Sequence, residues 1–148
     1  MPDGTTVAGR PPCWQAMTVS IPRSVLVVDD QAPFRQAAKA VLGRLSGFEF
    51  AGEASNGLEA IELVDALRPE LVLMDINMPE MGGIEATRRI VSAHPEVVVF
   101  LCSTYDVSDL PASAADSGAH AYLNKERFGA ELLRRLWADR GAGSFQTT

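Results

Sequence analysis

Ser24-Val-Leu-Val-Val-Asp-Asp30 sets a continuous apolar run directly before two adjacent carboxylates. A strand with one face in water alternates polar and apolar residues; an unbroken apolar run suits a strand covered on both faces, as in a parallel sheet flanked by helices. Glu70-Leu-Val-Leu-Met-Asp75 repeats the pattern, an apolar run closed by an aspartate, and Val97 to Cys102 is apolar throughout. Phe48 to Ala54 is a weaker strand candidate, interrupted by Glu49, Gly52 and Glu53. Ala119-His-Ala-Tyr-Leu123 is a shorter fifth run.

The segments between these runs carry helical patterns over roughly 33–46, 57–67, 83–93, 107–117 and 128–139. In the last of them Leu132, Leu133, Leu136 and Trp137 recur at helical spacing, which places Trp137 in the core rather than on a ligand platform. Asn56-Gly57 and Gly118 stand where turns are required. Strand and helix alternating along the chain imply an α/β fold, a parallel sheet with helices on both faces. In such open sheets, polar functional residues gather beyond the carboxyl ends of the strands.

A chain of 148 residues suits one domain with a sizeable core, and 47% apolar with 22% charged residues is an ordinary globular balance. The net charge of −6 argues against nucleic-acid binding by this chain alone, because phosphate contacts dominate that affinity. Cys13 and Cys102 lie in unlike contexts, so neither a disulfide framework nor a zinc site is expected. The run Val97 to Cys102 is far too short to span a bilayer, and no apolar core of signal-peptide length stands near the start. The expectation is a cytoplasmic protein away from membranes. Residues 1–22, with Pro2, Pro11, Pro12 and Pro22, read as a disordered extension, 23–140 as the folded domain and 141–148 as a tail or linker stub.

Asp29, Asp30 and Asp75 close two strands that would meet at one edge of the sheet if the strands are neighbours. Three unpaired carboxylates there would raise one another's pKa values, and a divalent cation removes that cost. A hard, oxygen-rich site suits Mg²⁺. An aspartate at a strand end is often only a helix N-cap, but two strand ends both closing in aspartate weaken that alternative. Lys125, beyond the fifth strand, and Ser103, beyond the fourth, add a cation and a hydroxyl at the same edge. On the residues alone, a metal-dependent hydrolase and a phosphorylated switch both stay open.

Val27-Val-Asp-Asp30, Leu73-Met-Asp-Ile-Asn-Met-Pro-Glu-Met-Gly-Gly83 and Gly118-Ala-His-Ala-Tyr-Leu-Asn-Lys125 together resemble the receiver domain of two-component response regulators, over about residues 24–139. The resemblance implies a flavodoxin-like, five-stranded parallel sheet of order 2-1-3-4-5. It implies that Asp75 is the phosphoacceptor, a carboxylate nucleophile served by a histidine kinase or phosphotransfer protein. Asp29, Asp30 and Asp75 would hold Mg²⁺, with Asn77 contributing its backbone carbonyl. Lys125 would pair with the phosphoryl oxygens and Ser103 would hydrogen-bond to them. Pro79 and Gly83 would shape the loop after the third strand. The only chemistry implied is Mg-dependent self-phosphorylation and self-dephosphorylation at Asp75, so the chain is not expected to be an enzyme in the ordinary sense.

By the same resemblance Tyr122 is the aromatic switch, its ring moving inward as Ser103 shifts toward the phosphoryl group. The alternative for Tyr122 is a plain core aromatic on an edge strand. The output surface would comprise the helix at 107–117, the strand at 119–123 and the last helix, which is also where a homodimer would first be sought. Some positions depart from the common pattern: Ser103 replaces threonine, Thr104 stands where a small residue is usual, and Glu126 replaces the proline after Lys125, so no cis peptide is implied. The Lys-acid ending and Gly118-Ala119 lean toward the helix-turn-helix transcription-factor branch, in which DNA contact would need a C-terminal output domain; none is recognisable after residue 139. His94 and His120 lack a second ligand at useful spacing, and Met74, Met78 and Met81 suit packing. A phosphatase of the haloacid dehalogenase type is disfavoured because Asn77 stands where its second aspartate would act as an acid. A degenerate, unphosphorylated receiver is disfavoured because every key position is filled.

Overall fold

A computed structural model describes residues 22–141 and 145–147. The extension expected over 1–22, with Cys13, therefore falls almost wholly outside the described residues. The order of elements is β1 (Arg23–Val28), α1 (Ala32–Arg44), β2 (Phe48–Ala54), α2 (Gly57–Leu67), β3 (Leu71–Asp75), α3 (Gly83–Ala93), β4 (Val98–Ser103), α4 (Ala112–Ala115), β5 (Ala121–Asn124) and α5 (Ala130–Ala138). All neighbouring strands pair in parallel, in the order β2-β1-β3-β4-β5. This is the doubly wound topology that the motifs implied.

The apolar runs became the buried centre of the sheet. Every residue of β3 and β4 is buried, as is β1 from Val25 onward. Successive side chains point to opposite faces. Val25, Val27, Leu71, Leu73 and Phe100 therefore meet Ala38 and Leu42 of α1 and Leu133 and Leu136 of α5 on one side. Leu26, Val28, Val72, Met74 and Leu101 meet Ala60 and Val64 of α2 and Ala86 and Ile90 of α3 on the other. Removing one such leucine side chain in either layer would cost about 2–5 kcal/mol, so both layers are essential to the fold. Trp137 lies in the first layer as expected, edge-on to Phe48 at 5.7 Å between ring centroids. The guanidinium groups of Arg23 and Arg140 stand over its ring at 5.3 and 3.9 Å.

Local chemistry explains the element ends. The Asn56 side chain accepts from the Glu59 N–H at 2.9 Å, while Glu59 accepts from the Ser55 N–H at 2.7 Å, fixing the start of α2. That helix ends in a left-handed residue, Arg68, before Pro69.

One expected helix is not continuous. Over 107–117 the chain forms a 3₁₀ turn, Val107–Asp109, and the single-turn α4. Pro111 disfavours the helical region for the residue before it, and Leu110 is accordingly extended at φ −70°, ψ 130°. The alanines that follow bury only Ala114, too little apolar surface to hold a longer helix. The last helix starts at Ala130 rather than 128, after a 3₁₀ turn over Lys125–Arg127. In the segment expected as a C-terminal tail, Gln146 forms a parallel bridge with Ala121 of β5. No helix among the described residues is long and apolar enough to cross a membrane.

Candidate functional site

Parallel register brings the ends of β1, β3, β4 and β5 to one edge. Asp29 follows Val28, Asp75 pairs with Cys102, and Ser103 pairs with Asn124, the residue before Lys125. An open pocket there is lined by Asp30, Gln31, Asp75, Asn77, Ser103, Thr104 and Lys125. Asp29, Asp30 and Asp75 each offer a carboxylate oxygen, all within 4.8 Å of one another. Asp29 is fully buried, Asp75 nearly so, and Asp30 is exposed.

Lys125 sets a cation against two of the three carboxylates. The Lys125 ammonium lies 2.5 Å from Asp29 Oδ2 and 3.2 Å from Asp75 Oδ1. Burial pushes the Asp75 carboxyl up to about 6; Lys125 opposes the rise, while Asp29 and Asp30 add to it. For Lys125, burial favours the neutral amine, but the hydrogen bond to Asp29 and the charges of Asp75 and Asp29 outweigh it and raise its pKa. An oxygen-only donor set with an acidic pair against a desolvated carboxylate fits a hard divalent cation such as Mg²⁺.

Backbone geometry fixes the loop after β3. A Cβ built on Gly83 would lie 1.9 Å from the Asp75 carbonyl oxygen, so only glycine lets α3 start against the strand. The Gly83 N–H donates to the Ile76 carbonyl at 2.9 Å, closing the loop that carries Asn77 and Pro79. The shaping role expected of Gly83 is thus visible as contact.

Residues 25–136 match the response regulator receiver domain. The chain belongs to that family. It is 39% identical to the chemotaxis protein CheY of Thermotoga maritima over 103 residues, covering 70% of this chain and 85% of that protein. It is 36% identical to the transcriptional regulatory protein DegU of Brevibacillus brevis over 102 residues, which is 69% of this chain but 43% of the relative, so the chain spans less than half that protein's length. Among solved structures, a two-component response regulator of the LuxR family from Aurantimonas superposes with a TM-score of 0.74 at 27% identity, covering 84% of this chain and 89% of the other. The lean toward transcription-factor receivers therefore has relatives behind it.

In this receiver the residues expected at the site are brought together. Lys125, expected to pair with phosphoryl oxygens, bridges Asp29 and Asp75 at this edge. The Asn77 side chain donates to the Tyr105 hydroxyl at 2.8 Å. Tyr122, expected as the aromatic switch or as a plain core aromatic, is fully buried. Its hydroxyl donates to the Tyr105 and Ser103 carbonyls at 2.6 and 3.1 Å. No cis peptide occurs among the described residues, in keeping with Glu126 after Lys125. His94 pairs with Asp65 at 2.7 Å and His120 sits in the loop before β5, neither in the acidic cluster.

Four contributors were missed in the sequence. The Gln31 N–H donates to Asp29 Oδ1 at 2.8 Å. Arg35 donates to the Asp29 carbonyl and to Glu53, both at 2.6 Å, holding the β1 end. Phe34 lies with its ring 4.8 Å from the Lys125 nitrogen and is itself backed by Phe128 at 5.3 Å. Tyr105 gathers bonds from Asn77, Tyr122 and Asn124 and donates its N–H to Ser103 Oγ at 3.3 Å. The only signal for the first three was proximity to Asp29-Asp30, and for Tyr105 its place two residues after Ser103.

Proposed function

We propose that this receiver accepts a phosphoryl group on Asp75, that Asp29, Asp30 and Asp75 hold Mg²⁺ with the Asn77 carbonyl, and that Ser103 and Tyr122 read out the added charge. The observation that carries the reading is the Lys125 ammonium between the Asp29 and Asp75 carboxylates, at the wall of a pocket that also holds Ser103.

With a pKa of about 6, Asp75 is mostly ionised near neutral pH and is competent as a nucleophile. Its carboxylate oxygen bonds to phosphorus as the bond from phosphorus to the donor breaks, and the donor leaves with that electron pair. Bound Mg²⁺ would neutralise charge on the phosphoryl oxygens. Lys125, whose ammonium lies over the Phe34 ring, exchanges a carboxylate partner for one of those oxygens, and the Ser103 hydroxyl turns to donate to another. Attack of water on phosphorus then breaks its bond to the Asp75 oxygen, releasing inorganic phosphate and restoring the carboxylate. The chain carries no further turnover in this account.

The donor is a histidine kinase or phosphotransfer protein, the setting is cytoplasmic, and 23–140 is the functional unit. Contact with DNA belongs to an output domain in a longer protein, where one is present. Incubation with acetyl phosphate, or with beryllofluoride and Mg²⁺, checks the assignment. Wild type should gain one adduct at Asp75 and Asp75→Asn none; equal modification of the variant sinks it.

A further inference from the structure

Residues 145–147 lie along the outer edge of β5. The Gln146 N–H donates to the His120 carbonyl at 3.1 Å, and the Gln146 carbonyl accepts from the Tyr122 N–H at 2.7 Å. Phe145 is half-buried against the apolar layer that contains Tyr122, Leu101 and Ala119. An edge strand offers a row of backbone donors and acceptors to any extended segment of suitable register. Here that segment comes from the same chain. One of its two bonds lands on the backbone of the residue assigned above as the aromatic switch.

Three facts bear on what this contact does. The segment is seated while Tyr122 is fully buried. Phe145 packs against the same apolar layer to which the Tyr122 ring belongs, so seating of the segment and burial of the ring draw on one cluster. The Tyr122 hydroxyl and N–H bind on opposite flanks, the hydroxyl to the β4–β5 connection and the N–H to Gln146, so strand and ring are held together.

We propose that the Phe145–Gln146 segment is a cis-acting strand that clamps the β5 edge and favours the Tyr122-inward state, so that its docking and phosphorylation of Asp75 reinforce each other. The coupling rests on the receiver reading above; the docking does not. Two ligands of one state, here a tethered strand and a phosphoryl group, must raise each other's affinity by the same factor. A partner that adds its own strand to β5 would have to displace the segment first.

The test uses the full-length chain as wild type, Phe145→Ala and Gln146→Pro. Hydrogen exchange at the Tyr122 amide should quicken about tenfold in Gln146→Pro, which lacks the N–H that binds His120 and frees the neighbouring bond. In both variants, binding of beryllofluoride with Mg²⁺ should weaken several-fold. Unchanged exchange at Tyr122 overturns the docking. Faster exchange with unchanged or tighter beryllofluoride binding overturns the coupling. If wild type itself forms no beryllofluoride adduct, the receiver reading falls and the coupling with it, whereas the exchange result still decides the docking on its own.

Discussion

The crossover from β3 to β4 and the crossover from β4 to β5 each join neighbouring parallel strands, and they are built differently. Between β3 and β4 the chain makes α3, whose Ala86, Thr87 and Ile90 are buried. Between β4 and β5 it makes a 3₁₀ turn and a single-turn helix that buries only Ala114. The first is held by apolar packing and by a glycine pressed on Asp75. The second is held by polar bonds that converge on Tyr105. Segments with few buried apolar contacts open at lower free energy than packed ones. Asp75, the proposed phosphoacceptor, thus sits on a stiff floor, while the side proposed to report its charge opens more readily.

The largest effect should come from breaking the stiff side. In Gly83→Ala the new methyl group would meet the Asp75 carbonyl at 1.9 Å, and backbone cannot yield as a flexible side chain would. We expect a loss of about 3 kcal/mol in urea unfolding, with weakened Mg²⁺ binding because the loop carrying Asn77 shifts. A loss under about 1 kcal/mol would mean that this crossover is not stiff.

Asp75→Asn should act in the opposite direction. The Asp75 pKa rises from 3.8 to about 6 on folding, so the native state binds the proton more tightly than the unfolded chain. Its contribution to stability is therefore present below pH 3.8 and lost as pH rises through about 6. The asparagine variant escapes that loss. Without metal it should match wild type near pH 4 and exceed it by roughly 1–3 kcal/mol at pH 7.5, the upper figure being the full shift. Adding Mg²⁺ should narrow the gap, since only wild type keeps the third carboxylate. A gap that does not change with pH would show that Asp75 is not a strained carboxylate.

How much of this was legible beforehand follows the same division. β1, β3 and β4 could be read because their stretches buried on both faces, 25–28, 71–74 and 98–102, are wholly apolar, and Asp29, Asp30, Asp75, Ser103 and Lys125 could be read because they stand at strand ends. The β4–β5 connection was misread as a helix over 107–117. Its alanines have good helix propensity, but propensity alone cannot outweigh a proline and a lack of buried anchors. Phe34, Arg35 and Tyr105 escaped because their roles depend on partners far along the chain: Phe34 on Lys125, Arg35 on Glu53, Tyr105 on Asn77 and Tyr122. The seat of Gln146 on β5 had no pattern at all, since a two-bond bridge requires no periodicity.

Within the softer crossover, Tyr122→Phe should cost more than any other loss of a single hydroxyl. Its buried hydroxyl donates to the carbonyls of Ser103 and Tyr105, and the phenylalanine removes that donor from both, although the Asn124 amide still reaches the Tyr105 carbonyl. About 1 kcal/mol is expected by urea unfolding, together with faster amide exchange over 104–110. A variant as stable as wild type, with exchange unchanged, would remove the hydroxyl from the readout.

Tyr105→Phe should have the smallest effect and discriminates most finely. It deletes only the bond from Asn77 Nδ2 to the Tyr105 hydroxyl, at a residue that is partly exposed. The Tyr105 carbonyl and N–H, which bind Tyr122, Asn124 and Ser103, stay in place. Water can replace the lost partner on Asn77, so stability should change by less than about 0.5 kcal/mol. The bond nevertheless ties the β3 loop to the β4–β5 connection, the stiff side to the soft one. Its loss should widen the motion of 104–106 in relaxation measurements while leaving Gly83 and Asp75 unaffected. If both sides loosened together, the two crossovers would be one mechanical unit, and the separation of a fixed floor from a movable reader would fail.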